Sequence, residues 1–276
     1  TSNFKPIIVH QRVEFSLLSM EQIVNQIAKW SYMSGGKVNV PIVIRMIIGK
    51  GWGQGPQHSQ SLESIFAHIP GLKVVSPSNA YDAKGMLISS IDDPDPIIFF
   101  EHRWLHNTKS FVPKNNYNIN ILKAKVLQKG KDLTILSFSY AFVESIKATN
   151  FCKKFGISIE LIDLRSLRPL DKKTILKSVG KTRKVLIVDN GMITNGISAE
   201  ISALINENLP FYVKTKRLGV INPVPSSVSL AKYCYPEEDL IVEEIFKILN
   251  IKVKKSELPK KRLNPDQPDK DFTGPF

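Results

Sequence analysis

Short, strand-length apolar runs recur along this chain and alternate with segments of helical spacing. The runs are "PIVIRMII", "LKVVSP", "PIIFFE", "DLTILSFS", "ISIELIDL" and "KVLIVDN", and the more polar "YVKTKRLGV" reads as a further strand. A strand that is apolar on both faces must be covered on both sides, and the usual solution is a parallel sheet with helices packed on each face. The intervening segments supply those helices. Met20, Ile23, Val24 and Ile27 share one helical face; Leu62, Ile65, Phe66 and Ile69 share another, stopped by Pro70-Gly71; Ala148, Phe151, Cys152 and Phe155 line a third, ended by Gly156. "YDAKGMLISSI", "KKTILKSV" and "GISAEISALINE" read as further helices, and "PEEDLIVEEIFKIL" opens with proline and acids, as a helix N-terminus favours. The alternation predicts an α/β protein with mainly parallel sheets.

The polar stretch "HNTKSFVPKNNYNIN" breaks the alternation and is the best linker. It divides the chain into a first domain over 1–106, a linker over 107–120 and a second domain over 121–250. A charged, proline-containing tail over 251–276 is expected to lie extended on a surface. At 276 residues the chain is long enough for two cores.

Charge and cysteine usage narrow the partners. The net charge is +13, but the excess is spread along the chain, with no aromatic-interleaved basic stripe and no finger or RNP motif. That favours a solvated lysine-rich surface, secondarily a basic face for an acidic protein, and no nucleic acid. No apolar run reaches the roughly 20 residues that span a bilayer, so no membrane partner is expected. "TSNFKPIIVHQR" lacks the pattern of a signal peptide. Cys152 and Cys234 lie far apart and outside any CxxC or Cys/His cluster, which points to a reducing, cytoplasmic-type compartment and not to structural zinc.

The stretch "GKGWGQGPQHSQS" has glycine at every second position from Gly49 to Gly55. A dinucleotide fingerprint starting at Gly51 needs a third glycine where Pro56 stands; starting at Gly49 it needs one where Gln54 stands. A Walker loop needs Gly-Lys-Ser/Thr, which is also missing. What remains is a flexible backbone following a buried strand, delivering His58 toward the carboxyl end of the sheet, where ligands of parallel α/β proteins bind. Histidine there suits proton transfer.

The ordered string "HQRVEFSLLSMEQIVNQIAKWSYMSGG", "VPIVIR" and "GPQHSQSLESIFAHIPGLKVVSPSNAYDAKGMLISSIDDPDPIIFFEHR" resembles the beta subunit of thiamine-diphosphate 2-oxoacid dehydrogenases, the pyruvate or branched-chain E1 type related to transketolase. "IELIDLRSLRPLDKKTILKSVGKTRKVLIVDNG" and "NGISAEISALI" resemble that family's C-terminal domain, so the likeness runs over about residues 5–250. The resemblance implies a transketolase-like pyrimidine-binding domain, here N-terminally incomplete, followed by a transketolase C-terminal domain. It implies oxidative decarboxylation of a 2-oxoacid such as pyruvate, with acyl transfer to the lipoyl group of an E2 partner. It also implies an α2β2 assembly containing a second beta subunit, in which the alpha subunit holds the diphosphate and Mg²⁺. Carried over by position, His58 matches the active-site histidine and Phe15 the aromatic that lies against the aminopyrimidine ring, with Gln11 and Leu18 lining the cofactor beside it. Ile42, Ser90, Asp93 and Asp95 match a monovalent-cation loop, for K⁺ or a similar ion, built on backbone carbonyls. The compartment implied is cytoplasmic, or the mitochondrial matrix or plastid in a eukaryote.

Two departures stand beside the likeness. The family's cofactor-activating glutamate falls upstream of the first residue of this sequence, and neither Glu14 nor Glu21 aligns with it. The segment "RMIIGKGWGQG" replaces a Gly-Pro-Asn-Gly-like stretch of pyruvate-type chains, which leaves the 2-oxoacid open. The alternatives are an acetoin-type dehydrogenase subunit, and a non-catalytic assembly subunit or inactive fragment of the same family.

Overall fold

The computed structural model describes residues 4–50, 54–106 and 108–262. Of the glycine-rich stretch, residues 51–53 lie outside the described residues, as does the tail from 263 onward.

Two five-stranded, mostly parallel sheets form the frame. The first has the order β1-β2-β4-β3-β8, with β1 at Ile7–His10, β2 at Val43–Ile48, β3 at Lys73–Val75, β4 at Ile97–His102 and β8 at Ser166–Arg168. The second has the order β10-β9-β6-β7-β5, with β5 at Lys125–Gln128, β6 at Leu133–Ser137, β7 at Ile159–Asp163, β9 at Lys184–Met192 and β10 at Lys214–Val220. The expected α/β class with mainly parallel sheets is what the chain adopts. The exceptions are the pairings β3–β8 and β5–β7, which are antiparallel. Strand β8 follows β7 of the second sheet yet pairs with β3 of the first, so the chain after 120 adds an edge strand to the sheet formed before it.

The helices are α1 (Trp30–Met33), α2 (Glu63–His68), α3 (Ala80–Asp92), α4 (Ser139–Lys153), α5 (Lys172–Thr182), α6 (Ile197–Asn208), α7 (Val228–Ala231) and α8 (Glu238–Leu249). Local chemistry marks their ends. The Asn79 side chain accepts from the Asp82 N–H to cap α3, and Asp171 accepts from the Thr174 N–H to cap α5. The expected single helix from Met20 to Met33 is wound differently. It is a π segment over Gln22–Ile27 followed by the short α1, and a 3-10 segment over Val13–Ser19 precedes it. The anticipated apolar face survives: Ile23 is buried, and Met20, Val24 and Ile27 pack against the core. The core, not an unbroken α-helical ladder, holds this segment.

One apolar cluster runs from Val13, Met46 and Phe100 to Leu136, Ile187 and Ile201, and so joins residues of both sheets. A second, with Leu133, Phe142, Leu161, Ile241 and Phe246, lies on the other face of the second sheet. Residues 251–262 run over that second cluster, with Ile251, Val253 and Leu258 packed on it. Among the described residues no helix is long and apolar enough to cross a membrane.

Candidate functional site

Strands β1, β2 and β4 are parallel and in register, with Ile7 opposite Val43, His10 opposite Met46, and Val43 opposite Ile97. Their carboxyl ends therefore open at one edge, and the segments after them meet there. This is where ligands collect in parallel α/β sheets. Arg12, after β1, donates to the Gly49 carbonyl at 3.1 Å and to the Gln54 side chain. Arg103, after β4, donates to the same Gln54 oxygen at 2.8 Å. Gly49 takes φ +92°, and a Cβ there would run into the His102 ring, so only glycine lets the chain turn at this point. Its N–H donates to the Gln60 carbonyl at 3.0 Å and so fastens the loop that carries His58.

The 3-10 winding after β1 decides which side chains face this edge. Residues three apart eclipse in such a helix. Val13 and Ser16 share the buried face, while Phe15 and Leu18 share a face turned outward. Phe15 is 47% exposed and Leu18 is 88% exposed; Gln11 is exposed just before them. The Phe15 and His58 rings lie 5.8 Å apart, centroid to centroid, at a tilt of 37°. Of the four residues expected at the site by resemblance, Phe15 and His58 are brought into ring contact, and Gln11 and Leu18 are exposed on the segment after β1.

Glu14 is the residue that sequence reasoning set aside. Its Oε1 is hydrogen-bonded to His58 Nδ1. Its Oε2 is buried and has no partner among the described residues. A separation of 44 positions leaves no signature of such a contact in the sequence.

The second missed feature is Lys50. Its side chain is 2% exposed and pairs with Glu237 at 2.6 Å, reaching from the first sheet to the start of α8. Trp104, Tyr140 and Tyr235 surround the ammonium at 4.5, 5.0 and 4.3 Å from ring centroid to Nζ. Burial holds this lysine below its ordinary pKa, with Glu237 pulling the other way. Burial, aided by the Lys50 charge, also pushes His102 well below the usual histidine range. A second buried group, Glu63, is pushed up to about 8 by burial and then by the neighbouring Asp189.

The residues of the expected cation loop are held as follows. Asp93 and Asp95 pair with Lys73 Nζ at 2.7 and 3.0 Å, Ser90 donates to the Met86 carbonyl at 2.7 Å, and the Ile42 carbonyl accepts from the Ile97 N–H at 2.9 Å. Among the described residues no group of three or more His, Cys, Asp or Glu side chains could hold a metal ion. Neither Cys152 nor Cys234 forms a disulfide among the described residues.

Two mostly parallel five-stranded sheets with helices, the first carrying a half-exposed aromatic and a histidine at its carboxyl edge, make this an α/β protein of two joined units. Two family models match accordingly: the transketolase pyrimidine-binding domain over residues 1–136 and the transketolase C-terminal domain over residues 122–241. The mitochondrial pyruvate dehydrogenase E1 component subunit beta of Drosophila melanogaster is 40% identical over 263 residues, covering 92% of this chain and 72% of that protein. The corresponding subunit of Cyanidium caldarium is 39% identical over 254 residues, 91% and 78% of the two chains. The beta subunit of the acetoin:2,6-dichlorophenolindophenol oxidoreductase of Cupriavidus necator is 42% identical over 199 residues, 72% of this chain and 59% of that one. A solved split-gene transketolase, an inactive beta4 tetramer, shares the fold with a TM-score of 0.76 at 19% identity, over 90% of this chain and 78% of that one. The chain belongs to the transketolase family, among the E1 beta subunits of the 2-oxoacid dehydrogenases. Membership in that family implies dependence on thiamine diphosphate.

Proposed function

We propose that this chain is the beta subunit of a thiamine-diphosphate-dependent 2-oxoacid dehydrogenase that acts on pyruvate or a close relative. The observation that carries the reading is the pairing of the Phe15 and His58 rings at the open edge of the first sheet, in a chain that is 40% identical to an E1 beta subunit.

The residues fit the cofactor. Phe15 offers a half-exposed face for a flat heterocycle, a contact worth about 1 kcal/mol beyond area burial. The exposed side chains of Leu18 and Gln11 are the further groups assigned to the cofactor beside it. When bound, thiamine diphosphate supplies the nucleophilic carbon and the electron sink for decarboxylation. His58 holds and moves a proton beside the reacting centre, an effect typically worth about 10²- to 10⁴-fold. The pocket's other wall, with the diphosphate and Mg²⁺ contacts, is assigned to an alpha subunit in an α2β2 assembly, and the acyl group passes to a lipoyl-bearing E2. Lys73 pairs with the side chains of both Asp93 and Asp95. The backbone carbonyls of Ile42, Ser90, Asp93 and Asp95 are then the donors assigned to a monovalent cation such as K⁺.

Replacing His58 with alanine in the alpha–beta complex cuts lipoyl acylation by about 10²- to 10⁴-fold and leaves thiamine diphosphate affinity in place. Unchanged turnover refutes the role. The 42% identity to an acetoin oxidoreductase subunit favours one second reading, the same site with acetoin as substrate. A panel of pyruvate, branched 2-oxoacids and acetoin separates the two, and the loop from Met46 to Gly53 is where they should differ.

A further inference from the structure

We propose that Glu14 is a positioning residue: it fixes the His58 imidazole with its proton on Nδ1 and so presents Nε2 to the substrate. This rests on His58 being the acid/base group of the proposed site.

A neutral imidazole has one N–H donor and one bare nitrogen, and which is which follows from the bond the other nitrogen makes. Oε1 of Glu14 lies in hydrogen-bond contact with Nδ1, and a carboxylate can only accept. The proton therefore sits on Nδ1, and Nε2 carries the free electron pair. The carboxylate is also short of other company. Its side chain is 11% exposed, and Oε2 finds no donor among the described residues. An anion taken out of water needs a donor, and the imidazole is the one in reach.

The two partners differ in how firmly they are held. Glu14 sits on the first part of the 3-10 turn, which is held by local hydrogen bonds and by two buried side chains. The Phe15 N–H donates to the Arg12 carbonyl at 3.2 Å, Ser16 Oγ donates to the Val13 carbonyl at 2.5 Å, and Val13 and Ser16 are buried. His58 stands on a loop and its side chain is 44% exposed. The fixed turn is therefore the reference and the loop histidine is what it aligns. Phe15 limits one face of the imidazole while Glu14 holds one edge. The nitrogen left over is Nε2. In turnover Nε2 takes up a proton and returns it, and the Nδ1–H bond to Glu14 stays intact throughout.

The test is long-range ¹H–¹⁵N correlation of the ring nitrogens in the full chain labelled with ¹⁵N-histidine, at a pH where the His58 ring is neutral. The His58 signals are assigned by their loss in His58→Ala. In wild type the expected pattern is a protonated Nδ1 and a bare Nε2. Glu14→Gln keeps an acceptor oxygen and keeps the pattern; Glu14→Leu removes the acceptor and moves the proton toward Nε2. The remaining histidine signals report whether each variant is folded. If Glu14→Leu does not fold, the wild-type pattern decides alone. A proton on Nε2 in wild type, or an unchanged pattern in a folded Glu14→Leu chain, overturns the proposal. In the alpha–beta complex, Glu14→Leu lowers kcat by about tenfold or more, short of the loss of His58 itself, with KM for the 2-oxoacid little changed and partial rescue in Glu14→Gln. An Nδ1-protonated wild type combined with a fully active His58→Ala enzyme would sink the proposed function and leave the tautomer assignment standing.

Discussion

Replacing Glu237 with glutamine should strand a charge inside the protein. The Lys50 ammonium has 2% of its side chain exposed and lies 2.6 Å from the Glu237 carboxylate, which is itself 8% exposed. Removing one partner of a buried ion pair costs about 3–5 kcal/mol, because the other charge stays desolvated and unpaired. Part of the field remains in Glu237→Gln. Three ring faces still surround Nζ, and a desolvated cation over an aromatic ring recovers about 2 kcal/mol. Glu144 also acts on Lys50 at longer range. The expected loss is therefore at the lower end, about 3 kcal/mol. Removing both charges relieves both desolvation penalties, so Lys50→Met with Glu237→Leu should return to within about 1 kcal/mol of wild type. The assay is a double-mutant cycle in urea over wild type, Lys50→Met, Glu237→Leu and the double variant, with Glu237→Gln measured beside it, read by far-ultraviolet circular dichroism and by tryptophan fluorescence. Coincidence of the two probes establishes two-state behaviour before free energies are compared. A loss under about 1 kcal/mol in Glu237→Gln, or a double variant as unstable as the sum of the singles, refutes the claim that this pair ties the two sheets through a desolvated contact.

Two further outcomes follow from one close approach and from a buried carboxyl group. Gly71 has φ +101°, and a Cβ there would collide with the Ala28 carbonyl oxygen. Gly71→Ala combines left-handed backbone strain with overpacking and should cost about 2–5 kcal/mol in urea denaturation; a loss under about 1 kcal/mol contradicts so close an approach to Ala28. Glu63, pushed up to about 8 in the folded chain, has an unfolded value near 4.3. Its contribution is fully present below about pH 4.3 and drains away as pH rises to about 8. Glu63→Gln should therefore gain on wild type steadily between about pH 5 and 8, measured as urea midpoints; parallel profiles contradict a buried, protonated Glu63 beside Asp189.

The parts of this fold that could be read from sequence are those with an internal period. Continuous apolar runs marked β2, β4, β6, β7 and β9, which are the strands buried nearly throughout. Strand β8, "SLR", is too short to have a pattern, and only its pairing with Val74 and Val75 makes it a strand. The segment from Met20 to Met33 kept its apolar face but is α-helical only at its end, because periodicity reports which residues are buried and not which carbonyl each N–H chooses. The site divides in the same way. His58 and Phe15 were singled out because they fall in a recognisable string, and the structure brings their rings together. Glu14 and Lys50 were not. Their roles come from contacts 44 and 187 positions away, and a lysine beside glycines reads from sequence as solvated.

The most direct test of the central claim, that Phe15 and His58 form one wall of a shared cofactor pocket, is calorimetric titration of thiamine diphosphate into the alpha–beta complex and its Phe15→Ala variant. Loss of the ring contact, about 1 kcal/mol before any lost burial, predicts a Kd weaker by about fivefold or more in a complex that still assembles. An unchanged Kd in the assembled variant would show that the ring faces something other than the cofactor.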